Sequence, residues 1–169
     1  VGLLTSYDPE ETLPALDDLV DDGVIDRIGL SNFRPDQLDE AIDRLDHDVF
    51  AHQVECHPLL QQERLREYAV ADDHWLVAYS PIARNRVADV DVLREIAASH
   101  DATPAQVSLA WLLSKERVAP IPKAADFGHV EENWAARELD LTDDQIARID
   151  TLDRDERIVD FEEASWNQG

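Results

Sequence analysis

Polar side chains able to do chemistry stand directly after short apolar runs in this chain. Ser31 and Asn32 follow the run 25–30, Gln53 and Glu55 close the run 49–54, Tyr79 and Ser80 end the run 75–79, and Lys123 follows 118–121. Together these residues supply hydrogen-bond donors and acceptors, an aromatic plane and a cationic point charge. Two other constellations can be assembled on paper. Cys56 and His57 with His52 suggest a metal cluster, but no third ligand stands at fitting spacing, and His57-Pro58 reads better as a loop-shaping pair. Ser31, Ser80, His57 and an aspartate could form a hydrolase triad, yet no G-x-S-x-G elbow supports it.

The elements that must position these residues alternate. Asp8-Pro9-Glu10-Glu11 opens a helix with Asp8 as N-cap and Glu11 closing a box-like cap, Leu13, Leu16, Leu19 and Val20 form its apolar stripe, and Gly23 ends it. A strand over 25–30 is followed by a helix after Pro35, a strand over 49–54, a helix over 61–71 and a strand over 75–79. Helices at 91–99 and 104–114 come next, the second capped by Thr103 and Gln106. A strand at 118–121, a helix at 130–137 and a last helix capped by Thr142 and Gln145 complete the pattern. Such alternation means βαβ units and a parallel sheet. A doubly wound nucleotide binder needs a glycine-rich turn, and none of the five glycines stands in one. Polar residues at successive strand ends fit a (β/α)₈ barrel instead, of which four consecutive units are visible. The apolar residues Ile28, Phe50, Val54 and Val77 are expected to face the barrel interior, and Trp75, Trp111 and Trp134 to be mostly core.

Composition narrows the partners. The 169 residues carry 15 Lys+Arg against 38 Asp+Glu, a formal net charge of -23, which disfavours nucleic acid and anionic membranes. No apolar run is long enough to span a bilayer and no secretory signal is visible, so a cytoplasmic location is expected. The single Cys56 leaves no internal disulfide framework. Aspartate outnumbers glutamate, and Lys115 and Lys123 are the only lysines, while 44% of the residues are hydrophobic. An acidic, lysine-poor chain with an adequate core is expected to be adapted to molar salt, where self-repulsion is screened; an acidic protein of ordinary salt is the other reading. The chain begins at Val1 and contains no methionine, so translation is expected to start upstream.

Five segments carry a family resemblance. I-G-L-S-N-F (28–33), H-Q-V-E-C-H-P-L-L-Q (52–61), V-A-Y-S-P-I-A-R (77–84), A-T-P-A-Q-V-S-L-A-W-L-L (102–113) and P-I-P-K (120–123) with E-E-N (131–133) resemble, in order and spacing, the aldo-keto reductase family. The resemblance implies an α/β fold, the C-terminal half of a (β/α)₈ barrel, with residues 1–153 covering the family's strands five to eight and 154–169 a tail. It implies carbonyl reduction with NADPH or NADH. Ser31, Asn32 and Gln53 would hydrogen-bond the nicotinamide carboxamide, and Tyr79 would stack on the ring. Ser80 and Ile82 would line the pyrophosphate path. Lys123 would meet the adenosine 2′-phosphate, while Glu132 and Asn133 would hold the adenine edge. Read without the family, Tyr79 could simply cap a barrel layer and Glu132 could be a solvated helix residue.

This chain departs from the family at two places. Ala124 stands where Ser or Thr is usual after the lysine, and His129 where Arg is usual six residues on, so a hydroxyl and a permanent cation become a methyl and an imidazole. The family's catalytic Asp, Tyr, Lys and His belong to earlier strands. No histidine precedes His47 and no lysine precedes Lys115, and Tyr7 sits in a loop leading into the first helix. The expected function is therefore the cofactor-holding half of an aldo-keto reductase acting on a small carbonyl substrate, without its catalytic residues. A non-catalytic nucleotide-binding or regulatory half-barrel, or an inactive remnant, is the alternative. Four strands leave two open edges, through which self-association is expected. Trp166 in the tail would line a substrate mouth or lie in a disordered end.

Overall fold

The computed structural model describes residues 8–160, so Tyr7, Phe161 and Trp166 lie outside the described residues. Four parallel strands, β1 (Ile28–Ser31), β2 (Val49–Glu55), β3 (Trp75–Tyr79) and β4 (Val118–Pro120), form one sheet in sequential order. Helices α1 (Pro9–Asp21), α2 (Pro35–Arg44), α3 (Glu63–Ala71), α4 (Asp91–Ser99), α5 (Pro104–Leu113), α6 (Phe127–Ala135) and α7 (Asp143–Asp150) accompany it. A 3₁₀ segment at Ala83–Asp89 joins β3 to α4, and another at Ala136–Glu138 extends α6.

Local chemistry sets most helix starts. Asp8 accepts from the Glu10 N–H at 3.0 Å, Pro9 fills the first helical position, and Glu10 and Glu11 oppose the positive end of the α1 dipole. Thr103 with Gln106, and Thr142 with Gln145, close reciprocal caps on α5 and α7 as their spacing predicts. Three element starts differ from expectation, and several ends shift by one or two residues. β1 begins at Ile28, where its pairing with Val49 starts. α3 begins at Glu63 because Gln62 takes a left-handed φ of 52° and the Gln61 side chain is spent on the carbonyls of Pro58 and Ile149. α6 begins at Phe127 because Asp126 caps it, accepting from the His129 N–H at 3.0 Å.

The sheet has two unlike faces. Leu76 and Ala78 in β3 are fully buried against the helices, while Trp75, Val77 and Tyr79 on the alternate positions stay partly open. Ile28 and Val54 belong to the buried helix-side cluster with Leu13, Leu38 and Leu65, so they do not face the barrel interior as expected. Phe50 is exposed and lies under the Arg27 guanidinium. The tryptophans divide. Trp111 is fully buried on α5, but Trp75 is 37% and Trp134 66% exposed, which corrects the expectation of core for both. Their rings are instead covered on one face by Arg117 and Arg137.

Candidate functional site

The ends of β1 and β2 bring three of the expected residues into contact. In the ladder Ser31 stands opposite Gln53. The Ser31 hydroxyl and the Asn32 N–H both donate to the Gln53 carbonyl oxygen, at 3.2 and 2.9 Å. Asn32 holds this position at a φ of 61°, a left-handed conformation that asparagine tolerates better than most residues. The turn is fixed from behind by His52, whose Nε2 accepts the Phe33 N–H at 3.1 Å. Burial, together with the neighbouring His74, pushes the His52 pKa down to about 3. The ring is therefore a neutral acceptor, as that hydrogen bond requires.

Tyr79 ends the adjacent strand and pairs in the ladder with Glu55. Its ring is partly open, while its hydroxyl is buried and finds no hydrogen-bond partner among the described residues. Burial pushes the phenol up to about 12; the Glu55 charge adds to the rise and Arg157 opposes it. Ser80 follows at a φ of 49°, and Ala83, Arg84 and Asn85 also have positive φ. Each such conformation costs on the order of 1 kcal/mol, so the turn must be held from outside. Ser108 does this from α5, donating to the Pro81 carbonyl at 2.7 Å from a fully buried position. Ile82, within the same turn, packs partly buried against the core.

A second group gathers beyond β4. Lys123 is exposed on the loop that follows the strand. His129, on the first turn of α6, places Nδ1 2.6 Å from the Asp126 carboxylate. The hydrogen bond from the His129 N–H, and then its ring, hold the Asp126 carboxyl below its ordinary range. Glu132 and Asn133 are half-buried on the same helix. Gln106 of the α5 cap donates to the Glu132 carbonyl at 3.0 Å and so ties α6 to α5. Asn133 borders an apolar groove of about 480 Å³ lined by Leu109, Leu113, Pro120, Pro122 and Trp134.

The residues that suggested a metal cluster are engaged otherwise. The Cys56 thiol is fully buried, donates to the Gln61 carbonyl at 3.5 Å, and is pushed up to about 12 by burial, which leaves it unreactive. His57 Nε2 lies 3.0 Å from the Glu55 carboxylate, and its Nδ1 accepts the Leu59 N–H at 3.3 Å. Sequence reasoning missed the supporting roles of His52, Glu55 and Ser108. For Glu55 the available signal was a carboxylate inside an otherwise apolar strand end, where a buried charge needs partners.

In chemical terms, two amides, a hydroxyl and an aromatic plane stand at neighbouring strand ends, with a lysine and a helix start beyond the sheet edge. Comparison with known proteins bears on that arrangement. The model of the aldo/keto reductase family matches residues 4–154. The chain is 36% identical over 149 residues to the glyoxal reductase of Bacillus subtilis, covering 88% of this chain and 54% of that protein. It is 34% identical over 151 residues to the 9,11-endoperoxide prostaglandin H2 reductase of Trypanosoma cruzi, covering 88% and 53%. A crystal structure of a thermostable aldo-keto reductase with the inhibitor epalrestat superposes with a TM-score of 0.81 at 38% identity, covering 86% of this chain and 55% of that one. The aldose reductase of Schistosoma japonicum gives 0.84 at 30% identity, covering 96% and 54%. The chain thus spans about half the length of the relatives it matches. With its four parallel strands, their helices and their polar ends matching half of a (β/α)₈ barrel, this chain belongs to the aldo/keto reductase family.

Proposed function

We propose that these residues form the nicotinamide-cofactor-holding half of an oxidoreductase that reduces small-molecule carbonyls. One observation carries the reading: Ser31, Asn32 and Gln53 meet at adjoining strand ends, beside the partly open ring of Tyr79. A nicotinamide carboxamide offers one donor pair and one acceptor, and the Asn32 and Gln53 amides match both. The Tyr79 ring supplies a stacking face that selects one side of the nicotinamide. When bound, the cofactor supplies a hydride to the carbonyl carbon. Ser80 and Ile82 line the path onward, Lys123 and His129 meet the phosphate end, and Glu132 and Asn133 hold the adenine edge. With Ala124 lacking a hydroxyl and His129 already beside Asp126, this end accepts NADH as well as NADPH.

None of the catalytic residues that the resemblance implies is assigned here, and the proton for the carbonyl oxygen comes from outside the residues described. Residues 1–153 act as the partial barrel and 154–169 as its tail. The partly open sheet face and the edges of β1 and β4, which pair with no other strand among the described residues, are the surfaces through which the half-barrel associates with a covering partner or a second copy. The acidity serves solubility at molar salt and keeps polyanions away, which suits a cytoplasmic protein; no described helix is long and apolar enough to cross a membrane.

Fluorescence titration with NADH and NADPH tests the reading. Binding without turnover of an aldehyde is expected, and Tyr79→Ala should weaken it about three- to tenfold, the worth of one stacked ring. Failure to bind either nucleotide would refute the cofactor assignment. Oxidation of NADPH with an aldehyde, abolished by Tyr7→Phe, would overturn the absence of a catalytic acid.

A further inference from the structure

Glu55 closes β2 fully buried, and its carboxylate draws partners from the adjoining loop and from residues 157–159. His57 Nε2 lies 3.0 Å from Oε1. Because His57 Nδ1 accepts from Leu59, the neutral ring carries its proton on Nε2 and donates it to Glu55. The Ile158 N–H donates to Oε1 at 2.8 Å and the Val159 N–H to Oε2 at 3.0 Å, across 103 and 104 residues. The Arg157 guanidinium stands 4.0 Å from Oε2. Burial alone would raise the carboxyl pKa, but the His57, Val159 and Ile158 hydrogen bonds hold it below the ordinary glutamate range.

The segment bearing those N–H groups is anchored along its length. The N–H groups of Arg154 and Glu156 both donate to the Leu59 carbonyl, at 3.2 and 2.9 Å. The Glu156 carboxylate takes Arg86 at 2.8 Å, from the 3₁₀ segment after β3. Residues 154–159 therefore run from the loop after β2, at Leu59, to the end of β2 at Glu55, with the Glu156 side chain reaching the 3₁₀ segment after β3 and Arg157 lining a small pocket with Asn32, Phe33 and Val54. Glu55 is the ladder partner of Tyr79, and the Cys56 N–H donates to the Tyr79 carbonyl at 3.3 Å. A leucine could fill this position without the cost of burying a charge, but it could not accept two backbone N–H groups.

We propose that Glu55 is a positioning residue: it latches residues 157–159 onto the end of β2, where Glu55 itself pairs with Tyr79 of β3, and so holds the Gln53 and Tyr79 platform in place for its ligand. The identity of that ligand rests on the nicotinamide reading above; the latch does not. Glu55→Gln keeps the shape but replaces one accepting oxygen with a donor. Val159→Pro removes one strap donor and leaves the carboxylate untouched.

Two measurements on the full chain decide it, amide hydrogen exchange and the NADH dissociation constant. In the wild-type chain the Ile158 and Val159 amides should be protected. Glu55→Gln should expose at least one of them while the β2–β3 ladder around His52–Val54 keeps its protection. Both variants should raise the NADH dissociation constant about tenfold, the scale of one hydrogen bond to a charged acceptor. If Glu55→Gln unfolds the ladder as well, Val159→Pro decides alone. An unchanged dissociation constant in Val159→Pro, or unprotected 158 and 159 amides in the wild-type chain, would overturn the proposal. A wild-type chain that binds no NADH would count against the nicotinamide reading, and exchange at 158 and 159 would then judge the latch by itself.

Discussion

Ser108 shows how one side chain can hold a strained turn. It is fully buried on α5 and donates to the Pro81 carbonyl at 2.7 Å, beside Ser80 and Ala83, both at a φ of 49°. Ser108→Ala leaves that buried acceptor without its donor and should cost about 1–3 kcal/mol in urea unfolding. A change within experimental error would show that the turn holds itself. The place of Ser31-Asn32, Gln53 and Tyr79-Ser80 at strand ends was legible because each follows or closes a short apolar run. Ser108 and His52 were not legible. Their partners lie 27 and 19 residues away, so nothing in the local pattern distinguishes them from ordinary core or loop positions. Glu55 was visible as a carboxylate at a strand end, but its partners 103 and 104 residues on were not.

The joint between α1 and the start of β2 is electrostatic. Asp17, near the middle of α1, accepts from the N–H groups of Asp46 and His47 at 3.0 and 3.2 Å and lies 3.0 Å from His47 Nδ1. His47 Nε2 is 3.4 Å from Asp21. Burial raises the Asp17 carboxyl, but these bonds outweigh it and leave the pKa lowered, while the Asp17 bond raises that of His47. A raised histidine pKa stabilises the fold fully below its unfolded value, and the contribution is lost as pH rises through the folded value. The melting temperature of His47→Gln should therefore fall short of wild type near pH 6, with the gap closing towards pH 9. A gap that does not vary with pH would remove charge from the account. At this scale the caps at Thr103 and Thr142 and the prolines at 9 and 35 were readable, because capping is chemistry between near neighbours. The start of α6 was not, since Asp126 follows a run that reads as strand and loop, and the exposed Trp134 was mistaken for core because a tryptophan type usually signals burial.

For the whole molecule, a net charge of -23 on 169 residues sets the terms. Repulsion acts over a Debye length of about 10 Å at 0.1 M salt and about 3 Å at 1 M. Helicity and melting temperature should rise between about 0.1 M and 3 M KCl, measured by circular dichroism. Sedimentation in the same buffers should show association at high salt, through the edges of β1 and β4 and the open sheet face. Equal melting in both buffers would end the salt-adaptation reading, and a monodisperse monomer with sharp unfolding would show that half a barrel suffices. The parallel architecture was legible because helix and strand periods alternate. Which sheet face holds Ile28 and Val54 was not, because apolar residues on a strand buried on both sides of a barrel look the same from either side.

The hydrogen bonds from Ile158 and Val159 to Glu55 also impose an order in time. A ribosome adding about 5–20 residues per second completes Glu55 and His57 some 5–20 s before residues 158 and 159 are joined to the chain. Throughout that interval the carboxylate has His57 but lacks two of its backbone donors, so the end of β2 stays hydrated until residues 158 and 159 have left the exit tunnel. The ends of β2 and β3 thus complete their packing only after residues 158 and 159 are joined, later than the strands themselves.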